Sequence, residues 1–136
     1  RGADVVLAED TRRTRKLLTH YEIRTPLKSL HDHNEKAQAA RLAERVAAGE
    51  RLALVSDAGT PLISDPGHSL VRAMLDAGVE VIPIPGPSSL LAALTGSGLP
   101  VDRFTFCGFL PRQAAARRRL FESLAGEPGT DRKSVV

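Results

Sequence analysis

Short apolar runs alternate with stretches of helical periodicity along this chain. The apolar runs predict strands at residues 5–8, 27–30, 52–55, 79–84 and 104–109. The periodic stretches predict helices at residues 11–20, 35–48, 66–77 and, from Ser88 or Ser89, to Leu94. Because the strand runs are apolar on both faces, the pattern predicts an α/β fold with a largely parallel sheet covered by helices.

The starts of three predicted helices carry capping residues. Asp10 or Thr11 is the expected N-cap of the first helix, and Asn34 that of the second. Asp65 followed by Pro66 predicts the N-cap and first turn of the third. The side chains expected to face inward from the first two helices are Leu17, Leu18, Ala39, Leu42, Ala43 and Val46.

The sequence predicts one domain and the beginning of another. Residues 1–100 are assigned to an N-terminal α/β domain that ends in the linker 96–100, and residues 101–130 to the start of a second α/β domain. The chain begins in the middle of a pattern, without Met, so we expect a fragment.

Three polar loops follow predicted strands: residues 9–12, 56–67 and 85–89. In a parallel sheet the loops after the strands share one edge, where ligands bind. The Asp57 loop offers a carboxylate, free backbone N–H groups and a glycine, which suit a ligand with amine, carboxylate and hydroxyl groups. We therefore predict that the Asp57 and Pro85 loops lie side by side at a ligand site. No G-x-G-x-x-G or P-loop motif occurs in the sequence, so it supports neither a Rossmann dinucleotide site nor a P-loop nucleotide site.

The segment from His31 to Glu35 has three interpretations. In an extended segment His31 and His33 point to the same side, which permits metal chelation, although spacing fixes no third strong ligand and no metal site is assigned. The same residues suit substrate contact or proton handling. In the third interpretation these residues are simply polar side chains in contact with solvent.

Charge is weakly positive overall but clustered. The chain has 19 Lys and Arg against 16 Asp and Glu, with a pI near 9.5. The two clusters are Arg12, Arg13, Arg15 and Lys16, and Arg112, Arg117, Arg118 and Arg119. They indicate either solvated helix faces or an RNA-binding surface.

The single Cys107 lies in an apolar run, which predicts a core position and a reducing, cytoplasmic setting. No apolar run is long enough to cross a bilayer, so no membrane partner is expected.

Several sequence blocks together resemble a known family. The blocks are Ala8-Glu9-Asp10-Thr11-Arg12, His31-Asp32-His33-Asn34-Glu35, Ser56-Asp57-Ala58-Gly59-Thr60-Pro61, Pro83-Ile84-Pro85-Gly86-Pro87-Ser88 and Gly108-Phe109-Leu110-Pro111. In order and spacing, from about Ala3 to Thr130, the chain is similar to the ribosomal RNA small subunit methyltransferase I family, which is tetrapyrrole-methylase-like in fold (a class III methyltransferase).

The resemblance implies two α/β domains with S-adenosylmethionine in the cleft between them. It implies 2'-O-methylation of a cytidine in 16S ribosomal RNA of the small subunit, in the cytoplasm, by a homodimer at full length. Carried over to this chain, the cofactor-binding residues would be Ser56, Asp57, Ala58, Gly59, Thr60, Pro61, Pro85, Gly86, Pro87, Ser88 and Ser89.

The reaction also needs a base for the ribose hydroxyl. By residue type the candidates are Asp10, His31, His33 and Glu35, which sequence reasoning does not rank. Guanidinium groups suit phosphate better than proton transfer. The expected RNA-binding residues are Arg12, Arg13, Arg15 and Arg112.

Departures from the family pattern limit what this chain is expected to do. The family's first strand and loop, and most of its second domain, have no counterpart here, so we expect the isolated chain to bind S-adenosylmethionine weakly or not at all and to be inactive. Residues 131–136 replace an apolar strand of the family, and we expect a non-native tail that packs on nothing. The alternatives are a same-fold methylase of a small molecule or protein, of tetrapyrrole or diphthamide type, and a non-catalytic ligand-binding fragment.

Overall fold

The computed structural model describes residues 2–125 and 130–134 of the chain. Its internal contacts divide it into two compact units, residues 1–87 and 88–136. The sequence predicted a boundary at residue 100, and the domain limits of the whole protein stay a prediction. Each unit is described by itself below.

The first unit is built on a parallel sheet of three strands. The strands are β1 (Val5–Ala8), β2 (Leu27–Ser29) and β3 (Leu52–Val55). Their order is β2-β1-β3, and Val6 of the central strand pairs with Leu27 on one side and Ala53 on the other. All of β1 is buried, as expected for a strand covered on both faces.

Three helices cover this sheet. They are α1 (Thr11–His20), α2 (Glu35–Ala47) and α3 (His68–Asp76). Alternate residues of β1 point to opposite faces. Val5 and Leu7 join a buried cluster with side chains of α2 and α3, including Leu42 and Leu70. Helix α1 lies against β1 and β2, and its one buried side chain is that of Thr14.

The second unit contains α4 (Ser89–Gly96), β4 (Phe104–Phe109), α5 (Ala114–Leu124) and β5 (Thr130–Ser134). The two strands pair in parallel, with an irregularity between Phe106 and Phe109. Parallel strands joined through a helix form a βαβ unit. Together with the first sheet, this confirms the expected α/β class.

Three expectations about elements and packing are wrong. Residues 79–84 form no strand, and Ile82 and Ile84 are exposed, because an apolar run becomes a strand only where a neighbouring strand pairs with it. Leu17 does not face inward; it is 57% exposed, and the inward position of that helix belongs to Thr14. Leu18 is half-buried. Cys107 is exposed rather than in a core.

The end of the chain also differs from expectation. Residues 131–134 were expected to pack on nothing, but their backbone pairs with β4 as part of β5. Val135 and Val136 lie outside the described residues. The non-native origin of residues 131–136 stays a prediction. Within residues 2–125 and 130–134, no helix has both the length and the apolar character needed to span a bilayer.

Candidate functional site

Three polar loops meet at one edge of the first sheet. Because β1, β2 and β3 run parallel, the loops that follow them leave from the same edge. Glu9 and Asp10 follow the central strand, His31 follows β2, and Ser56 and Asp57 follow β3. We call this the carboxyl edge, and its loops contain most of the predicted site residues of this unit.

Asp57 joins two of these loops. Its Oδ1 accepts a hydrogen bond from the backbone N–H of Asp10 at 3.4 Å, and its Oδ2 lies 3.7 Å from Nε of Arg13. Its side chain is 18% exposed. The carboxylate therefore fixes the β3 loop against the start of α1, and Arg13, predicted to bind RNA, is held beside it.

Asp10 is the N-cap of α1, which was one of the two possibilities predicted from the sequence. Its carboxylate accepts the backbone N–H of Arg12 at 2.8 Å and is paired with the Arg12 guanidinium at 2.8 Å. The side-chain and backbone hydrogen bonds from Arg12 lower the pKa of Asp10 to about 2. So weak a base is poorly matched to proton abstraction near neutral pH, which argues against the predicted role of Asp10 as a base.

Glu9 lies among other carboxylates, a feature that sequence reasoning missed. Burial, followed by the negative charges of Asp65, Asp57 and Asp32, raises the pKa of Glu9. The nearby charge of Arg13 acts in the opposite direction, so the negative charge around Glu9 is only partly balanced. The available signal was that each of these acids follows a predicted strand or belongs to the loop after one.

His31 lies in a turn held by Asn34. Oδ1 of Asn34 accepts the backbone N–H of His31 at 2.9 Å, so its Nδ2 donates to Nε2 of His31 at 3.1 Å. A neutral His31 then carries its proton on Nδ1, which is buried without a partner among the described residues. Asn34 makes no side-chain cap bond to α2, contrary to the prediction, because its amide is used in this turn.

The two histidines of the segment are neighbours. Their ring centroids are 5.9 Å apart, with His33 exposed and His31 half-buried. Within residues 2–125 and 130–134, no group of three or more His, Cys, Asp or Glu side chains is arranged to hold a metal ion.

Glu35 is buried, and its carboxylate is used in hydrogen bonds within the fold. It is 5% exposed, and its carboxylate accepts the backbone N–H groups of Gly67 and Leu70, each at 3.0 Å. Burial acts to raise the pKa of Glu35, but hydrogen bonds from Gly67, Leu70 and Ser69 outweigh it and the pKa is lowered. Because both its oxygens are used, Glu35 is a poor candidate for the base.

The same contacts correct the predicted start of α3. The helix begins at His68 with Gly67 as N-cap, not at Pro66 with Asp65 as cap. Gly67 has φ 131°, and a Cβ there would lie 2.7 Å from Cδ2 of Leu54. Any other residue here would have to displace the side chains of Leu54 and Leu62 and adopt a strained backbone, so the position favours glycine.

The loop after β3 is tightly turned. Oγ of Ser56 donates to the carbonyl of Ala58 at 2.8 Å, and Leu62 and Ser64 have φ of 74° and 61°. Such conformations are costly for residues other than glycine and concentrate at ligand sites. Ala58, Gly59 and Thr60 are exposed, while Ser56 and Pro61 are half-buried.

The Pro85 loop is only partly in the predicted place. A Cβ built on Gly59 would lie 3.9 Å from the carbonyl oxygen of Pro87, so the two loops meet there. Pro85, Gly86 and Pro87 are exposed and follow no strand. The loops are therefore adjacent, but only the Asp57 loop follows a strand of the sheet. Ser88 and Ser89 belong to the second unit, where Ser88 caps α4 by accepting the N–H of Leu91.

The basic clusters lie on two helices and one loop. Arg12, Arg13, Arg15 and Lys16 are all exposed on α1. In the second unit Arg112 is exposed after β4, and its carbonyl accepts Nη1 of Arg117 at 2.7 Å.

Comparison with known proteins gives a consistent family. The sequence profile described as Tetrapyrrole (Corrin/Porphyrin) Methylases matches residues 1–131. A protein of Xylella fastidiosa named ribosomal RNA small subunit methyltransferase I is 58% identical over 130 residues, which are 96% of this chain and 48% of that protein. Proteins of the same name from Synechocystis sp. (54% identical; 93% of this chain, 46% of that one) and Pseudomonas aeruginosa (50%; 96% and 46%) are also similar.

The chain spans about half the length of these curated relatives. The profile match covers nearly all of its residues. The matched region includes the carboxyl edge and the parallel sheet that carries it. The chain belongs to the tetrapyrrole methylase family.

Proposed function

We propose that this chain is part of an S-adenosylmethionine-dependent methyltransferase that methylates the ribose 2'-hydroxyl of a cytidine in small-subunit ribosomal RNA. The observation that carries the proposal is the junction at Asp57. There an acidic sheet edge, suited to a cationic cofactor, is joined to the basic helix α1, suited to a nucleic acid.

The residues of the carboxyl edge fit the proposed cofactor. S-adenosylmethionine supplies a methyl group carried on a sulfonium centre. The carboxylates around Glu9, which include Asp57 and Asp65, favour the sulfonium and ammonium charges. Exposed backbone at residues 58–60 and 85–87 is available for the polar groups of the ligand. We propose the same contact residues as the sequence did, residues 56–61 and 85–89.

Proton removal falls to His33 in this proposal. The carboxylates of Asp10 and Glu35 are already used in hydrogen bonds. Nε2 of His31 is occupied by Asn34, and its buried Nδ1–H suits donation to a ligand oxygen. His33 is exposed beside it, and a neutral imidazole is an effective base near neutral pH.

A chimera tests the function without assuming the natural length of this chain. The 130 matching residues of the Xylella fastidiosa relative would be replaced by this sequence. We expect the chimera to transfer labelled methyl groups to small ribosomal subunits that lack the modification. Mass spectrometry should locate the methyl group on the 2'-oxygen of a cytidine. The unchanged relative is the control. Methylation of a base or of a small molecule instead would contradict the proposal.

Two variants of the chimera test the site. Asp57→Ala should lower the rate by about 10²-fold, because misplacing the reacting groups is costly. His33→Asn should lower kcat by about 10²-fold or more with little change in KM, as expected for loss of a base.

Calorimetry on the isolated 136-residue chain should detect weak or no S-adenosylmethionine binding. Tight binding would show that the cofactor is not shared with residues outside this sequence.

A further inference from the structure

The outward face of α1 forms an open groove. The side chains that line it are Arg12, Arg15, Lys16, Thr19 and His20, which lie three and four residues apart along the helix. The cavity between them has a volume of about 590 Å³. We call this surface the α1 groove. It lies on the exposed side of the helix that Asp57 attaches to the carboxyl edge.

The charge of the α1 groove is not balanced within the protein. Arg12 is paired with Asp10, but Arg15 and Lys16 have no carboxylate within ion-pairing distance in the part of the chain that the structure describes. The helix contains no acidic residue, whereas Arg72 of α3 is paired with Asp76 one turn away. Like charges three and four residues apart destabilise a helix. A polyanion would relieve this repulsion.

His20, which lines the groove, forms an aromatic pair with the next residue, Tyr21. The ring of Tyr21 meets that of His20 edge to face, with centroids 4.9 Å apart, and Tyr21 is 56% exposed. Cationic side chains bind phosphates, while exposed aromatic rings stack with unpaired bases. A basic groove with an exposed aromatic ring next to one of its lining residues therefore combines the two features of single-strand recognition.

We propose that the α1 groove binds a single-stranded segment of RNA, with phosphates at Arg15 and Lys16 and a base against Tyr21. This rests on the proposed function, which makes RNA the substrate. It assigns different tasks within the basic cluster. Arg13, paired with Asp57, positions the carboxyl edge, whereas Arg15 and Lys16 contact the nucleic acid.

Fluorescence anisotropy with a short single-stranded RNA measures this directly on the 136-residue chain. Arg15→Gln with Lys16→Gln should weaken binding about tenfold or more and reduce the slope of log K against log salt by about 1.4, since each single-strand phosphate contact contributes about 0.7. The matched control is Lys36→Gln with Arg41→Gln, two exposed cations of α2 with the same change in charge. It should stay within about twofold of the parent.

Tyr21 separates stacking from charge. Tyr21→Leu should lose about tenfold in affinity with no change in salt slope, and Tyr21→Phe should restore the parent affinity, because stacking contributes a roughly constant amount per base. Equal losses in the two double variants, an unaffected Tyr21→Leu, preference for duplex RNA, or no RNA binding by the chain would each overturn the inference.

The two proposals fail in different ways. If the chimera methylates ribosomal subunits and its Arg15→Gln with Lys16→Gln variant has the same KM for them, the α1 groove is wrong and the function stands. If the chain binds RNA as expected but the chimera transfers no methyl group, the function is wrong and the groove stands.

Discussion

Two helices of the first unit begin in very different ways. The first N–H groups of α1 are capped locally, by the partly exposed carboxylate of Asp10 on the N–H of Arg12. The first N–H groups of α3 are capped from a distance, by the buried carboxylate of Glu35 at the start of α2. Both satisfy the same requirement, that donors at a helix start find acceptors.

The difference lies in what each cap holds together. Asp10 orders one turn of its own helix and can be replaced by water when removed. Glu35 joins α2 to α3, and side chains of both helices, including Leu42, Leu70 and Met74, belong to the main buried cluster. Removing it would leave buried donors without an acceptor. The distant cap should therefore contribute much more to stability than the local one.

The largest effect expected is that of Glu35→Ala. The N–H groups of Gly67 and Leu70 would lose their acceptor in a buried place, and each unpaired donor costs about 1–3 kcal/mol. We expect the free energy of unfolding to fall by about 3 kcal/mol or more in urea titration. Glu44→Ala, at an exposed position of the same helix, is the control and should change it by less than about 0.5 kcal/mol. Equal effects would break the comparison.

The next effect concerns the backbone that receives the distant cap. In Gly67→Ala the new Cβ would lie 2.7 Å from Cδ2 of Leu54 and 2.9 Å from Cδ1 of Leu62, at φ 131°. Strain and overpacking together should cost about 2 kcal/mol. Gly49→Ala, at φ 103° with no atom within 4 Å of the new Cβ, isolates the strain and should cost about half as much. A larger loss at Gly49 would contradict the close packing at Gly67.

The two caps also explain what the sequence could predict. Strands β1, β3 and β4 and helix α1 have the predicted bounds, because apolar runs and a local cap are encoded by neighbouring residues. The start of α3 was misplaced because Asp65-Pro66 has the local pattern of a cap, whereas the true acceptor is 32 residues away.

The candidate site divides in the same way. That polar loops share one edge follows from the predicted parallel sheet, and the structure confirms it for the loops after β1, β2 and β3. The task of each side chain does not follow from residue type. Glu35 matched the requirements for a base, but its surroundings make it a cap. No role was predicted for Glu9 from the sequence, yet the negative charges of three other carboxylates raise its pKa.

The third prediction uses pH to test the charge of the distant cap. The pKa of Glu35 is lowered in the folded chain, so its ionised form contributes stability above the unfolded value of about 4.3, and this is lost as pH falls through the folded pKa. The advantage of the parent chain over Glu35→Gln in urea should be full near about pH 7 and shrink toward about pH 3. An advantage that grows on acidification would contradict the lowered pKa.

The smallest effect expected is that of Asp10→Ala. The variant loses a partly exposed acceptor for the N–H of Arg12 and a partner for its guanidinium, both of which water can replace. The link to Asp57 survives, because Asp10 contributes only its backbone N–H to it. We expect a lower thermal midpoint, by less than in Glu35→Gln, with fraying confined to the first turn of α1 in hydrogen exchange. Asp10→Asn keeps the cap and removes the charge, so it should lie between Asp10→Ala and the parent. An Asp10→Ala variant as unstable as Glu35→Ala would show that the local cap supports the sheet edge as a whole.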